Sequence, residues 1–151
     1  MRLLILSILA SLVLFPARAQ SEPQNLQGNA QDRAAIAAAI QNYFDGIGGA
    51  DAEQLQTAFD VDHATMVGLI KNEDGSRAMI KAPNMAAVVG NWASNKSPEG
   101  KGRDGEILDM TIVDGKIAMV MFRYKDEYFD VLSLLKIDDM WKIVSKTFYT
   151  R

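Results

Sequence analysis

Any chemistry in this chain turns on Asp130. It interrupts the apolar, strand-like run Phe129-Asp-Val-Leu-Ser-Leu-Leu-Lys-Ile137, where a carboxylate needs a partner or must hold on to its proton. Such a carboxylate can act as a general base. It can equally be a structural group, paired with Lys146 or Lys136 on the sheet's other face. Register separates the two readings. A two-residue turn at Asp138-Asp139 places Trp141 and Ile143 on the face of Asp130 and Leu132, whereas a three-residue loop places them with Val131 and Leu135. Tyr43, Trp92, Phe122, Tyr124 and Trp141 are the aromatic types that wall a pocket for a small apolar or aromatic ligand, and their spacing also suits ordinary core. Tyr43 or Tyr124 is the candidate hydrogen-bond donor beside Asp130.

Other chemistries are excluded by composition. The chain has 151 residues, one histidine and no cysteine, so it can build no multi-histidine or thiolate metal site and no disulfide. A nucleophile–histidine–acid arrangement would have to use His63, which reads as part of a solvated loop, and no serine sits in a Gly-x-Ser-x-Gly setting. The Gly100-Lys-Gly-Arg103 stretch lacks phosphate-loop spacing and reads as a flexible basic loop. No metal and no cofactor are expected.

The first residues give an address. Met1-Arg2, the apolar run Leu3 to Phe15 and Ala17-Arg18-Ala19 have the layout of a signal peptide over residues 1–19, cleaved before Gln20. The apolar run is short for a membrane span of roughly 20 residues, so the expected product is exported, periplasmic or secreted, with no membrane attachment after cleavage. Losing Arg2 and Arg18 leaves 14 basic against 19 acidic side chains, a net charge of −5. That balance opposes attraction to phosphate backbones, and nucleic acid is not an expected partner. Residues 20–31 are polar and read as a disordered tether; residues 32–151 read as one domain.

The elements that must position Asp130 follow from periodicity. Asp32 reads as an N-cap, followed by Ile36, Ile40, Tyr43, Phe44 and Ile47 on one helical stripe, with Gly46, Gly48 and Gly49 ending the helix. Asp51 and Gln54 resemble a capping box opening a short second helix. Ala64 to Lys71 and Arg77 to Lys81 read as a hairpin around Asp74-Gly75. Pro83 and Asn84 open a third helix carrying Met85, Val88, Val89 and Trp92. After a loop from Ser94 to Asp104 come four consecutive strands, the last two of them rich in β-branched and aromatic residues. Both parities of the last strands carry apolar residues, so both sheet faces need cover. The expected fold class is α+β, a cone-shaped α+β barrel in which three helices from the N-terminal half pack on a curved, mostly antiparallel six-stranded sheet and leave a hollow open at one end.

Several of these stretches resemble a known family. Tyr43-Phe-Asp-Gly46, Asp51-Ala-Glu53, Ala58-Phe59, Ala64-Thr-Met-Val-Gly-Leu69, Phe129 to Ile137 and Trp141-Lys-Ile-Val-Ser-Lys146 are similar to the putative lumazine-binding branch of the nuclear transport factor 2-like superfamily. One departure is Asp138-Asp139-Met140, where similar proteins carry Gly in the last turn. The resemblance implies the cone fold and a habit of pairing through sheet faces, hence a homodimer. It implies no single chemistry, because the superfamily includes isomerases and dehydratases as well as binding proteins. Isomerases of this fold use strand carboxylates as bases. Two functions are therefore expected: an exported small-molecule-binding or accessory domain, or a cofactor-independent isomerase or dehydratase with Asp130 as base.

Overall fold

The computed structural model describes residues 26–95, 100 and 105–151. The segment expected to be a signal peptide, the part of the expected tether before Leu26 and most of the loop from Ser94 to Asp104 lie outside the described residues. The chain runs α1 (Ala30–Gly49), α2 (Ala52–Ala58), β1 (Thr65–Lys71), β2 (Arg77–Ala82), α3 (Ala86–Ser94), β3 (Glu106–Val113), β4 (Ile117–Tyr124), β5 (Tyr128–Ile137) and β6 (Met140–Thr150).

Helix α1 begins earlier than its periodicity indicates. Its N-cap is Asn29, not Asp32: Asn29 Oδ1 accepts from the Asp32 N–H at 2.7 Å and Asn29 Nδ2 donates to Asp32 Oδ2 at 2.8 Å. This is a reciprocal capping arrangement with Asp32 as the third helical residue. The segment read as tether is also docked by Leu26, whose carbonyl accepts from the Ile112 N–H at 2.8 Å. At the other end the three glycines do not stop the helix. It continues to Gly49 and ends on Ala50 at φ 53°, a left-handed C-cap. Gly46 is a helical residue that must lack a side chain, since α2 lies against it and a Cβ there would meet Leu55 Cγ at 2.7 Å. Helix α2 starts as expected, with Asp51 accepting from the Gln54 N–H at 3.1 Å.

The sheet order is β2-β1-β6-β5-β4-β3. All neighbours are antiparallel except β1 and β6, which run parallel. Strands β2 and β3 remain edges, so the cone is a curved, unclosed sheet, not a closed barrel. The three helices cover its inner face. Ile36, Ile40 and Phe44 of α1, Leu55 of α2 and Val89 of α3 bury against Val120, Leu132, Leu134 and Ile143. Each such side chain contributes about 1.5–3 kcal/mol on leaving water, which is how a chain without disulfides holds its roof to its floor. The outer face keeps Met119, Met121, Val131 and Leu135 exposed, as expected from strands apolar on both parities.

The turn between β5 and β6 settles the register. Ile137 pairs with Met140, Lys136 with Trp141 and Leu134 with Ile143. Asp138 and Asp139, at φ 47° and 62°, therefore form a two-residue turn with both central residues left-handed, the geometry a tight hairpin requires.

Candidate functional site

With that turn, Trp141 and Ile143 share the inner face with Asp130, Leu132 and Leu134. Strict alternation from there would send Lys146 outward. It does not, because the register shifts between Ser133 and Leu134: Ser133 pairs with Ser145 while Leu134 pairs with Ile143, leaving Val144 as an extra residue in β6. A bulge of this kind reverses which face the following side chains take. Lys146 and Phe148 are thereby turned inward, with Phe148 opposite Asp130 and Lys146 opposite Leu132.

The result is a buried ion pair under α1. Lys146 Nζ contacts Asp130 Oδ2, and both residues are buried, at 4% and 5% exposure. The Tyr43 hydroxyl donates to the same Oδ2 at 3.1 Å. Asp130 Oδ1 is also buried, and among the described residues nothing donates to it. The Lys146 ammonium lies 5.3 Å from the Tyr43 ring centroid and 4.5 Å from that of Phe148, favourable cation–π placements. Burial nevertheless pulls the lysine below its ordinary value, with Asp130 opposing that shift. The structural reading of Asp130 thus has the right partner in Lys146 but the wrong face: the pair lies inside the cone. Lys136 is not its partner, since its Nζ sits 3.0 Å from Asp32 Oδ1.

A cavity of about 380 Å³ lies over this pair, bounded by α1, α3 and strands β4 to β6. Tyr43, Trp92, Phe122 and Tyr124 line it, as their types suggested, together with Phe44, Tyr128 and Phe148. Lys125 and Glu127, from the β4–β5 turn, complete it with one charge of each sign. Tyr43 anchors the wall, packing edge-on against Phe59 at 5.3 Å and tilted against Trp92 at 5.9 Å. Gly68 is needed for the same wall: Phe148 lies flat across β1, and a Cβ at Gly68 would meet the ring at 2.2 Å.

Trp141 is not brought to this cavity. It lies beyond the bulge, where its indole N–H donates to Asp32 Oδ1 at 3.0 Å. That hydrogen bond, followed by the one from Lys136, holds the Asp32 carboxyl below its ordinary value. Trp141 is a structural latch between α1 and the β5–β6 hairpin. His63 is exposed in the turn before β1, with Nδ1 3.0 Å from Asp60 Oδ1, a contact that raises its pKa. Among the described residues no group of three or more His, Cys, Asp or Glu side chains is placed to hold a metal ion. Within the same residues no helix is long and apolar enough to cross a membrane.

Residues 31–149 match the model of a family described as putative lumazine-binding. The chain belongs to that family. No curated protein sequence gives a match. Among solved structures it is similar to a nuclear transport factor 2-like protein of unknown function from Shewanella baltica, with 23% identity, a TM-score of 0.62 and coverage of 83% of this chain and 98% of the other. A second such protein, from Silicibacter pomeroyi, gives 22% identity, a TM-score of 0.64 and coverage of 83% and 100%. A domain of unknown function with a cystatin-like fold from Nostoc punctiforme gives 14% identity, a TM-score of 0.59 and coverage of 82% and 80%. These likenesses establish the nuclear transport factor 2-like α+β fold. In this family member the fold encloses an aromatic chamber whose floor carries one positive and one negative charge in contact.

Proposed function

We propose that the protein is an exported small-molecule-binding domain whose ligand occupies the chamber above Asp130 and Lys146. The observation that carries this reading is the buried Asp130–Lys146–Tyr43 cluster at the floor of an aromatic-walled cavity. Placing two charges in a protein interior costs several kcal/mol each before their attraction is counted, and an apolar floor would often be more stable. Retention of the pair beside a cavity large enough for a small organic molecule is consistent with recognition. The family's description supports a small ligand, and the leader-like first 19 residues support export.

Native mass spectrometry of the protein from the exported fraction tests both halves. The expected result is a mature chain beginning at Gln20 with a small molecule that is lost on denaturation. A chain that retains residues 1–19 in the cytoplasm overturns export, and a protein that binds no member of a broad small-molecule library overturns the binding reading.

A second reading is a cofactor-independent isomerase or dehydratase. It is favoured by one feature, the Tyr43 donor beside a carboxylate that has an uncommitted oxygen. Binding is preferred because Oδ2 is engaged by both Lys146 and Tyr43, so that only Oδ1 is left to take a proton. An Asp130→Asn variant that turns over a substrate as fast as wild type removes Asp130 as the base, and with it this reading.

We also assign the outer sheet face to a second copy of the chain. Met119, Met121, Val131 and Leu135 are exposed there, beside a groove of about 400 Å³ that Leu69, Leu108 and Tyr149 help to line.

A further inference from the structure

We infer that Gly68 and Gly105 set the size of ligand the chamber accepts, admitting an apolar ring system as large as three fused rings. This rests on the binding reading above and narrows it to a size class with two residues that determine it.

One row of paired residues crosses the inner face beneath the chamber. Gly68 of β1 pairs with Phe148 of β6, Phe148 with Asp130 of β5, and Asp130 with Phe122 of β4. Asp130 thus has a phenylalanine on either side, and the two rings lean away from it in opposite directions. A Cβ built on Gly68 would lie well inside 3.0 Å of the Phe148 ring, and one built on Gly105, the residue before β3, would meet the Phe122 ring in the same way. Each ring fills the place of a missing side chain at one flank of the row. The middle of the row, where Phe122, Asp130 and Phe148 all border the chamber, is left clear of both rings.

A side chain at either glycine would reverse this. An approach that close cannot persist, so either the backbone or the ring has to move. Strand β1 is paired on one side with β2 and on the other with β6, which holds the backbone of Gly68, so the Phe148 ring yields. The sheet bars it from the outer face and the new methyl bars it from the flank. It turns toward the middle of the row and takes up chamber space. Gly68 and Gly105 are therefore positioning residues that act through the two phenylalanines. At about 380 Å³ the chamber falls among pockets of roughly 300–1,000 Å³ that enclose drug-sized ligands, and its aromatic walls suit a ring system.

The test is fluorescence titration of the mature protein with 2-naphthol and 9-phenanthrol, which carry one hydroxyl on two and on three fused rings. Wild type is expected to bind 9-phenanthrol at least as tightly as 2-naphthol, because the larger body buries more apolar surface. Gly68→Ala, and separately Gly105→Ala, should weaken 9-phenanthrol at least about tenfold relative to 2-naphthol, the scale on which apolar pockets discriminate by size. A general loss of folding would weaken both probes together and would not change their ratio. In Gly68→Ala/Phe148→Leu the shorter side chain clears the new methyl, and the wild-type ratio should return. An unchanged ratio in a folded alanine variant overturns the inference and leaves the chamber standing as a binding site, as does a wild type that binds 2-naphthol and excludes 9-phenanthrol. A double variant that folds and still rejects 9-phenanthrol also overturns it. Should Gly68→Ala not fold, Gly105→Ala reads the same ratio at the other flank. If neither probe binds the wild type, this inference and the binding reading both fall.

Discussion

The Tyr43 hydroxyl and the Asp130 carboxylate, 87 positions apart in the chain, meet at 3.1 Å beneath helix α1. This contact ties roof to floor beneath the cavity, so it bears on stability and on the site together. Tyr43→Phe keeps the ring and its packing against Phe59 and Trp92 and removes only the donor. The expected loss of unfolding free energy is about 1.5–3 kcal/mol, the range for a hydrogen bond to a charged group, measured by urea denaturation. A loss near zero would mean that Lys146 alone satisfies Oδ2.

The ion pair should show strong non-additivity. Lys146→Met strands a buried carboxylate and is expected to destabilise by about 3–5 kcal/mol, whereas the Asp130→Leu/Lys146→Met double variant should be near neutral or more stable than wild type. Denaturant midpoints of the four proteins in the cycle measure this. Additive losses would place the two charges in a far wetter site than their burial indicates.

Asp32 makes part of the stability dependent on acid. Its folded-state carboxyl is held below the ordinary value of 3.8 by Trp141 and Lys136, so its contribution is fully present above that value and is lost as pH falls toward the depressed one. The gap in melting temperature between wild type and Asp32→Asn should therefore be widest near neutrality and should close in that acid window. A gap that stays constant down to about pH 2 contradicts the latch.

The β5–β6 turn carries backbone strain that can be relieved. Asp139 sits at φ 62°, where an L-residue costs about 1–2 kcal/mol. Glycine removes that cost and adds roughly 0.5–1 kcal/mol of chain entropy loss. Asp139→Gly should raise the unfolding free energy by up to about 1.5 kcal/mol, with the position of Ile143 unchanged. A lower unfolding free energy would show that the aspartate side chain contributes more than its backbone costs.

For the outer face, Met119→Glu with Val131→Glu should yield monomers in sedimentation at concentrations where the wild type dimerises. Wild type that is monomeric at micromolar concentration contradicts the assignment of that face to a second copy.

The fold was legible because helical and strand periods ran through every element in order. Even the departure at Asp138-Asp139 kept its two-residue turn, which aspartate can occupy at a cost. The candidate site was only half legible. Tyr43, Trp92, Phe122 and Tyr124 were recognisable as wall residues by type, and Asp130 by its apolar setting. Lys146 and Phe148 were not assignable to the chamber, because alternation from Trp141 and Ile143 points them outward and nothing around Val144 announces an extra residue in the strand. Trp141 was misplaced for the complementary reason. Its type suits a pocket, but its indole N–H is claimed by Asp32, a residue whose helix-capping role obscured its burial.

The inserted residue at Val144 also divides β6 into two independent stretches. Ahead of it, Trp141 and Ile143 belong to the buried core; past it, Lys146 and Phe148 furnish the chamber. Because the parity switch separates these duties, substitutions in the second stretch can retune what the chamber accepts while the first goes on securing the hairpin. Were the full-length strand instead to pair without that extra residue, Ser145 and Thr147 would take the inward places, turning a charged, aromatic floor into a hydroxyl-lined one in a single step.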